Sequence, residues 1–441
     1  IEEYSMRKGM AWAIASLALP SWVLGQNPAP QQPAGPPAAA APNGPTARIA
    51  LDDAIRLALQ HNHALQAMRT TILQNQDLET TANLRPNPVL SWDAQFLPFF
   101  QPENFTASYI DTNAQFDMGV GYLFERGKKR QHRLQAAKDV TEQSRWQVSD
   151  NERTLAFNVA QQFIAALLAE STLDFAQQDL ESFQKTVDIS ESRHKAGDLS
   201  EGDYLKIKLQ LLQFQTDVAQ AKLARVQAIA ALRQLVGFES VPEQFAVAGD
   251  LQYQPVHQGL DELKAMSLRT RPDLMEARQG VIAAESQEKL AEANAKQDLT
   301  ATVDYSHVNA TSGLSFFFNI PLAVFNRNQG EIARTKHAIT QAQELASEAA
   351  EQTISDVVDA YYALEMSDQI VQLYRGGYVD NARESRDISE YAYRHGAASL
   401  LDFLDAQRTY RANQLGYRQA LATYMTALEQ MRQAVGTRNL P

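Results

Sequence analysis

The chain has 441 residues, a formal net charge of -12 and a hydrophobic content of 44%. Its length suits two or three ordinary domains with a large core, and its acidic balance, with no compensating basic stripe, excludes a nucleic-acid partner. It contains no cysteine, which removes disulfides, thiolate nucleophiles, Cys-type zinc sites and a lipid-modified cysteine from consideration within this sequence. Ala, Gln, Leu, Glu and Arg dominate beyond the N-terminal part, a composition of long helices.

Met6, Arg7 and Lys8 give a start and a charged region, and an apolar stretch follows from Ala11 to Leu24. With Val23-Leu24-Gly25 as a cleavage region, residues 1–25 read as a secretory signal peptide, and residues 1–5 as an upstream extension of the reading frame. Pro20 interrupts the apolar stretch, which is shorter than the ~20 residues of a spanning helix. No later run is long and apolar enough to span, so a helical membrane protein is not expected. Residues 26–48 carry Pro28, Pro30, Pro33, Pro36, Pro37, Pro42 and Pro45 among Ala and Gly, a flexible and partly extended tail.

Residues 49–237 form one unit. Leu51-Asp52-Asp53 opens a helical run through Leu59, Leu65 and Arg69 to about residue 83. The period then changes. Leu90, Trp92, Ala94 and Phe96 alternate with Ser91, Asp93 and Gln95, predicting a strand at about 88–96. A loop at 97–113 follows. Ala114, Phe116, Met118, Val120, Tyr122 and Phe124 then predict a second strand at about 113–124. From Gln131 to about His194 there is no Pro or Gly, and Leu155, Val159, Phe163, Leu167 and Leu173 set an apolar stripe. This predicts one helix of roughly 97 Å. Gly197 can end it with a positive φ, and Ser200 can N-cap the next helix, with Asp203 completing a capping-box-like pair. That helix, about 200–236, laid end to end with the run at 51–83, matches the long helix in length.

After a linker at 238–259, the unit repeats over 260–437. Leu260-Asp261-Glu262, Leu268, Leu274 and Arg278 keep one offset from their counterparts, through to Leu90 and Leu299. Strands are predicted at about 298–307, with Leu299, Ala301, Val303 and Tyr305 alternating, and at about 313–321, with Leu314, Phe316, Phe318 and Ile320. A long helix covers about 332–394, and Gly376-Gly377 predicts a kink or break in it. Gly396, Ser399 and Asp402 repeat the capped turn before a helix over 399–435. Met431-Arg432-Gln433-Ala434-Val435-Gly436 matches Leu232-Arg233-Gln234-Leu235-Val236-Gly237 at a smaller offset, which the longer first loop explains. The strands fit either a small soluble sheet with one wet face or membrane-barrel strands. The signal peptide and the aromatics favour the membrane. Four strands cannot close a conducting barrel, whereas three copies would give twelve.

Several stretches resemble the outer-membrane efflux protein family, the TolC-like channels, from about residue 49 to 437. They are Arg85-Pro86-Asn87-Pro88, Glu125-Arg126-Gly127-Lys128-Lys129-Arg130, Ile320-Pro321-Leu322, Phe325-Asn326-Arg327-Asn328-Gln329-Gly330 and the two Gly-x-x-Ser-x-x-Asp turns. The resemblance is strongest to the heavy-metal (cobalt–zinc–cadmium type) branch. It implies an α+β membrane protein: long α-helices in a trimeric helical barrel, plus four strands per subunit in a 12-stranded outer-membrane β-barrel. It further implies a homotrimer in outer-membrane lipid with a long periplasmic extension. The implied partners are a periplasmic adaptor (membrane fusion) protein and a proton-driven inner-membrane pump, and the implied cargo is heavy-metal cations.

In such channels an acidic ring just past the second tip closes the periplasmic end. The matching residues are Asp402 and Asp405, with Arg408 and Tyr410 placed to hold the closed state. Asp402 equally serves as a cap residue, while Asp405 has no capping role; the first copy carries Lys206 where the second has Asp405. Gly197, Ser200, Asp203, Gly396 and Ser399 mark the two tips as the adaptor-docking surface. No metal site is expected in this subunit: the eight His are scattered, His61 and His63 lack a carboxylate or Cys partner at ligand spacing, and His194 and His395, in matching contexts next to Arg193 and Arg394 near the two tips, read as structural or solvent-facing. No cofactor is implied, and no nucleophile elbow, phosphate loop or dinucleotide fingerprint suggests an enzyme. The competing readings are the same channel serving multidrug efflux or type I protein secretion, and a periplasmic coiled-coil structural or adaptor protein.

Overall fold

The computed structural model describes residues 47–256 and 258–438. The expected signal peptide and most of the expected tail lie outside the described residues. The tail's last two residues, Ala47 and Arg48, are not tail: they belong to β1 (Ala47–Ile49). This strand pairs in parallel with β4 (Phe245–Val247), which lies within the expected linker. Phe245 and Val247 are buried, and that burial draws both segments onto the body of the molecule.

α4 (Lys129–Ala196) is an unbroken helix of 68 residues, about 100 Å long. One end of it is lined by α2 (His63–Asn83), the other by α5 (Glu201–Val236). Arg69 pairs with Glu152 at 2.5 Å, Asn75 Nδ2 donates to Ser144 Oγ at 2.6 Å, and Gln162 Nε2 donates to the Ala228 carbonyl at 3.2 Å. The continuous helix expected over 51–83 is broken. α1 (Leu51–His61) ends at Asn62, whose φ and ψ are -68° and 115°. The Asn62 side chain accepts from Leu65 N at 3.1 Å and donates to the Leu235 carbonyl at 3.0 Å. α1 therefore lies beside the joint between α2 and α5. Its Ala54, Ile55 and Ala58 share a core with Val159, Phe163 and Leu167 of α4 and with Leu232 and Val236 of α5.

The second copy uses the same joint with other residues. The helix expected over 260–294 divides into α6 (Leu260–Thr270) and α7 (Pro272–Asn294). Pro272 disfavours the helical region for the residue before it, and Arg271 takes an extended conformation. The buried Arg271 donates to Asp273 at 2.9 Å, to Asp356 at 2.6 Å and to the Ala434 carbonyl at 3.3 Å. At both joints the last helix ends on a glycine against the break. A Cβ on Gly237 would lie 3.2 Å from His61 Cβ, and one on Gly436 would lie 3.1 Å from Arg271 Cα. α8 (Gln329–Leu373), α9 (Val379–Arg394) and α10 (Leu400–Val435) complete the copy. Between α8 and α9, residues Tyr374–Tyr378 form one wide π-type turn with Gly377 at φ 104°. Gly416 on α10 leaves the space that the Tyr374 hydroxyl occupies.

The four longer strands form one antiparallel sheet in the order β2 (Val89–Gln95), β3 (Gln115–Phe124), β5 (Leu299–Val308), β6 (Thr311–Asn319). Its register separates two faces. One carries the rows Leu90–Val120–Val303–Phe316 and Trp92–Met118–Tyr305–Leu314. The other carries Ser91–Gly119–Asp304–Ser315 and Asp93–Asp117–Ser306–Gly313. The loop expected at 97–113 contains a helix, α3 (Ala107–Asn113), started by Thr106, whose Oγ1 accepts from Tyr109 N at 3.2 Å.

Candidate functional site

Two regions carry functional geometry: the helix tips at one end and the sheet at the other. At the first tip Gly197 stands at φ 87°. Gly197 N donates to the His194 carbonyl at 3.0 Å and Asp198 N to the Arg193 carbonyl at 2.9 Å. At the second, Gly396 N donates to Tyr393 O at 3.1 Å and Ala397 N to Ala392 O at 2.8 Å. Both are Schellman endings. Ser200 Oγ accepts from Asp203 N at 3.1 Å, and Ser399 Oγ from Asp402 N at 3.2 Å. The second copy forms the complete capping box, because the Asp402 carboxylate also accepts from Ser399 N at 3.2 Å. In the first copy Asp203 turns to Lys206 at 3.1 Å instead, and hydrogen bonds from Lys206 and Ser200 hold its carboxyl below the usual range.

The other expected gate residues divide. Asp405 and Arg408 come together at 2.8 Å on an exposed face of α10. Tyr410 lies on a different face. Its ring packs edge-on against Phe175 of α4 at 6.0 Å, and the Arg386 guanidinium of α9 sits over it at 4.6 Å. His194 and His395 are not counterparts: His194 stacks on Tyr204 at 4.8 Å, whereas His395 precedes Gly396 directly and contacts Tyr391 at 4.1 Å. Among the described residues no cluster of three or more His, Asp or Glu is arranged to hold a metal.

Sequence reasoning missed what joins the lower helices. Four rings form a near-parallel column across four elements: Phe214 to Phe183 at 4.4 Å, Phe183 to Phe403 at 6.4 Å, and Phe403 to Tyr393 at 5.4 Å. A guanidinium caps each end, Arg411 over Phe214 at 4.3 Å and Arg193 over Tyr393 at 5.6 Å. Beside it, Asp179 of α4 accepts from Gln407 Nε2 at 2.7 Å and faces Arg411 Nε at 2.8 Å; Arg411 also reaches Asp217 of α5. Burial pushes the Asp179 carboxyl up to about 6 despite Arg411. Nothing local marks these residues, since their partners come from distant helices.

At the other end, the sheet's apolar rows are bare in the single chain: Trp92 is 70% exposed and Phe316 66%. An exposed apolar face of this kind marks a surface that lipid or another chain covers. Both edge strands, β2 and β6, have one unpaired side among the described residues. A sheet of this kind, set on rods about 100 Å long, defines an outer-membrane channel protein with a long periplasmic helical part.

The outer membrane efflux protein family matches residues 54–238 and 264–437, and the chain belongs to it. It is 24% identical over 399 residues to the cobalt-zinc-cadmium resistance protein CzcC of Cupriavidus metallidurans, covering 88% of each chain. It is 27% identical over 274 residues to the cation efflux system protein CusC of Escherichia coli, covering 58% of each. It is 25% identical over 391 residues to the pyoverdine export outer membrane protein OpmQ of Pseudomonas putida, covering 81% of this chain and 80% of that one. A crystal structure of CusC superposes with a TM-score of 0.72 at 18% identity, over 88% of this chain and 92% of that one.

Proposed function

We propose that three copies of this chain close a 12-stranded barrel, β2 of each copy pairing with β6 of the next. The carrying observation is the sheet with two open edges and one bare apolar face. Closure pairs the edges, which are otherwise a liability. The apolar rows then face lipid and the polar rows line the duct. The helices continue the duct into the periplasm. Its tips, around Gly197, Ser200, Asp203, Gly396 and Ser399, receive an adaptor bound to a proton-driven inner-membrane pump. Asp405 and Asp402 supply the acidic ring of the periplasmic gate, and Arg408 and, through its contacts with α4 and α9, Tyr410 hold the closed state. Its cargo is heavy-metal cations, supported by the similarity to CzcC and CusC.

A second reading, export of an organic chelator, is favoured by the similarity to OpmQ. Deleting the gene separates them. Lowered tolerance of cobalt, zinc or cadmium is the expected result; unchanged metal tolerance with loss of siderophore release would overturn the metal reading. Cross-linking the membrane fraction should give a species of three chains. A monomer extracted by carbonate would sink the channel assembly itself.

A further inference from the structure

The loop between β2 and β3 carries a second apolar surface, separate from the sheet. Residues 97–113 hold Phe99, Phe100, Phe105 and Tyr109 and no Lys or Arg. Phe100 is fully exposed, Phe99 is 69% exposed and Phe105 51%. Phe99 and Phe105 meet edge-to-face at 5.8 Å, so the rings form a small cluster. The loop springs from the sheet end opposite the helices, where β2 finishes and the β5–β6 turn lies.

The side on which this loop is tied can be read from the register. α3 is fastened to the β5–β6 hairpin: Ala310 N donates to the Asp111 carbonyl at 2.8 Å, and His307 Nε2 meets Asp111 Oδ1 at 3.3 Å. Asn309 and Ala310 both stand at positive φ, 52° and 53°, in that hairpin's turn. His307 sits in the row Phe116–His307–Ser312. Side chains alternate strictly along a strand, so this row shares its face with Trp92, Met118, Tyr305 and Leu314. Tyr305 OH and His307 Nδ1 both reach Ser312 Oγ, at 2.9 and 3.1 Å, which fixes His307 on that face. The tether thus belongs to the apolar face. The polar face with Asp93, Asp117 and Asp304 takes no part in it.

We propose that residues 97–113 are a lateral membrane anchor that seats Phe99, Phe100 and Phe105 in the outer leaflet at the rim of the barrel. The inference rests on the reading of the apolar face as lipid-facing. The occupant is the boundary between acyl chains and headgroups, because the loop that carries these exposed rings is tied to the lipid-facing side of the sheet. Aromatic side chains favour that boundary. The loop's acidic groups, Glu103 and Asp111, supply no attraction for anionic headgroups, so the contact is apolar. A loop folded over the pore mouth would instead be tied to the polar face.

The absence of cysteine allows a direct test. Phe100→Cys and, separately, Phe105→Cys carry a nitroxide label in the assembled protein, in vesicles of phosphatidylethanolamine and phosphatidylglycerol. Collision rates with oxygen report lipid, and those with a nickel chelate report water. Trp92→Cys and Asp93→Cys serve as the two references. The expected result is an oxygen-to-nickel ratio at Phe100 and Phe105 several-fold above that at Asp93 and close to that at Trp92. A nickel-accessible label at both positions, with Trp92 still in lipid, would overturn the anchor alone. A water-exposed label at Trp92 would overturn the lipid-facing reading and the anchor together.

Discussion

Asp179 lies where α4 meets α10, 4% exposed, with Arg411, Gln407, Asp217 and Arg386 around it. Burial outweighs the nearby guanidinium and raises its carboxyl from 3.8 to about 6. A folded-state value above the unfolded one means that folding favours the neutral acid. Its contribution is therefore fully present below about pH 4 and is lost as pH rises through about 6. The difference is worth ~3 kcal/mol per chain. Asp179→Asn should remove most of the fall in melting temperature between those values while leaving the Gln407 contact possible. A variant that keeps the full pH dependence would show that another group carries it. Asp405 is the opposite case. Its pair with Arg408 is exposed on both sides, so Asp405→Ala should change stability by less than about 1 kcal/mol. If it lines the closed tip, conductance in planar bilayers should rise and divalent block weaken. Unchanged conductance together with unchanged block counts against the gate.

At the scale of elements, the break between α8 and α9 allows a paired test. Gly377 is held at φ 104°, whereas Gly376 has ordinary geometry and open space around it. Gly377→Ala should cost ~1–3 kcal/mol or force the turn to re-form. Gly376→Ala should be neutral or slightly stabilising. Equal melting temperatures for the two variants would show that Gly377 does not set the turn. This break was legible because two adjacent glycines interrupt an otherwise strong helix. α4 was legible for the converse reason, a long stretch without Pro or Gly, and the strands through their period of two. Pro272 was also a visible signal, yet the periodic pattern on both sides hid the break. Asn62 gave less: it ends α1 through a bond to the Leu235 carbonyl, far along the chain. α3 was hidden because Thr106 and about two turns of helix look like loop. Of the tip, the caps at Ser200 and Ser399 could be read locally. The ring column Phe214–Phe183–Phe403–Tyr393 could not, because each ring comes from a different helix.

At the scale of the whole molecule, charge and register together bear on what the proposed duct would pass. The net charge is -12, and part of it is placed on one face of the sheet. Asp93 stands directly opposite Asp117, and Asp304 occupies the adjacent row. Gln95 donates to Asp93 at 3.2 Å and Gln115 to Asp117 at 2.6 Å. Among the described residues no Lys or Arg pairs with any of the three. Like charges opposite one another destabilise a sheet, so their survival on a single face fits a wall whose negative potential has a use. Repeated around the proposed trimer, they would make the barrel's lining acidic and its lumen selective for cations. The channel should therefore show a cation-directed reversal potential in a salt gradient. Asp93→Asn, Asp117→Asn and Asp304→Asn combined should move it toward zero. The shift should be largest at low salt and shrink near 1 M, where the screening length falls to ~3 Å. A reversal potential that the triple substitution leaves unmoved at low salt would mean that these carboxylates do not line the conducting path, and the assignment of the sheet's polar face to the lumen would fall with it.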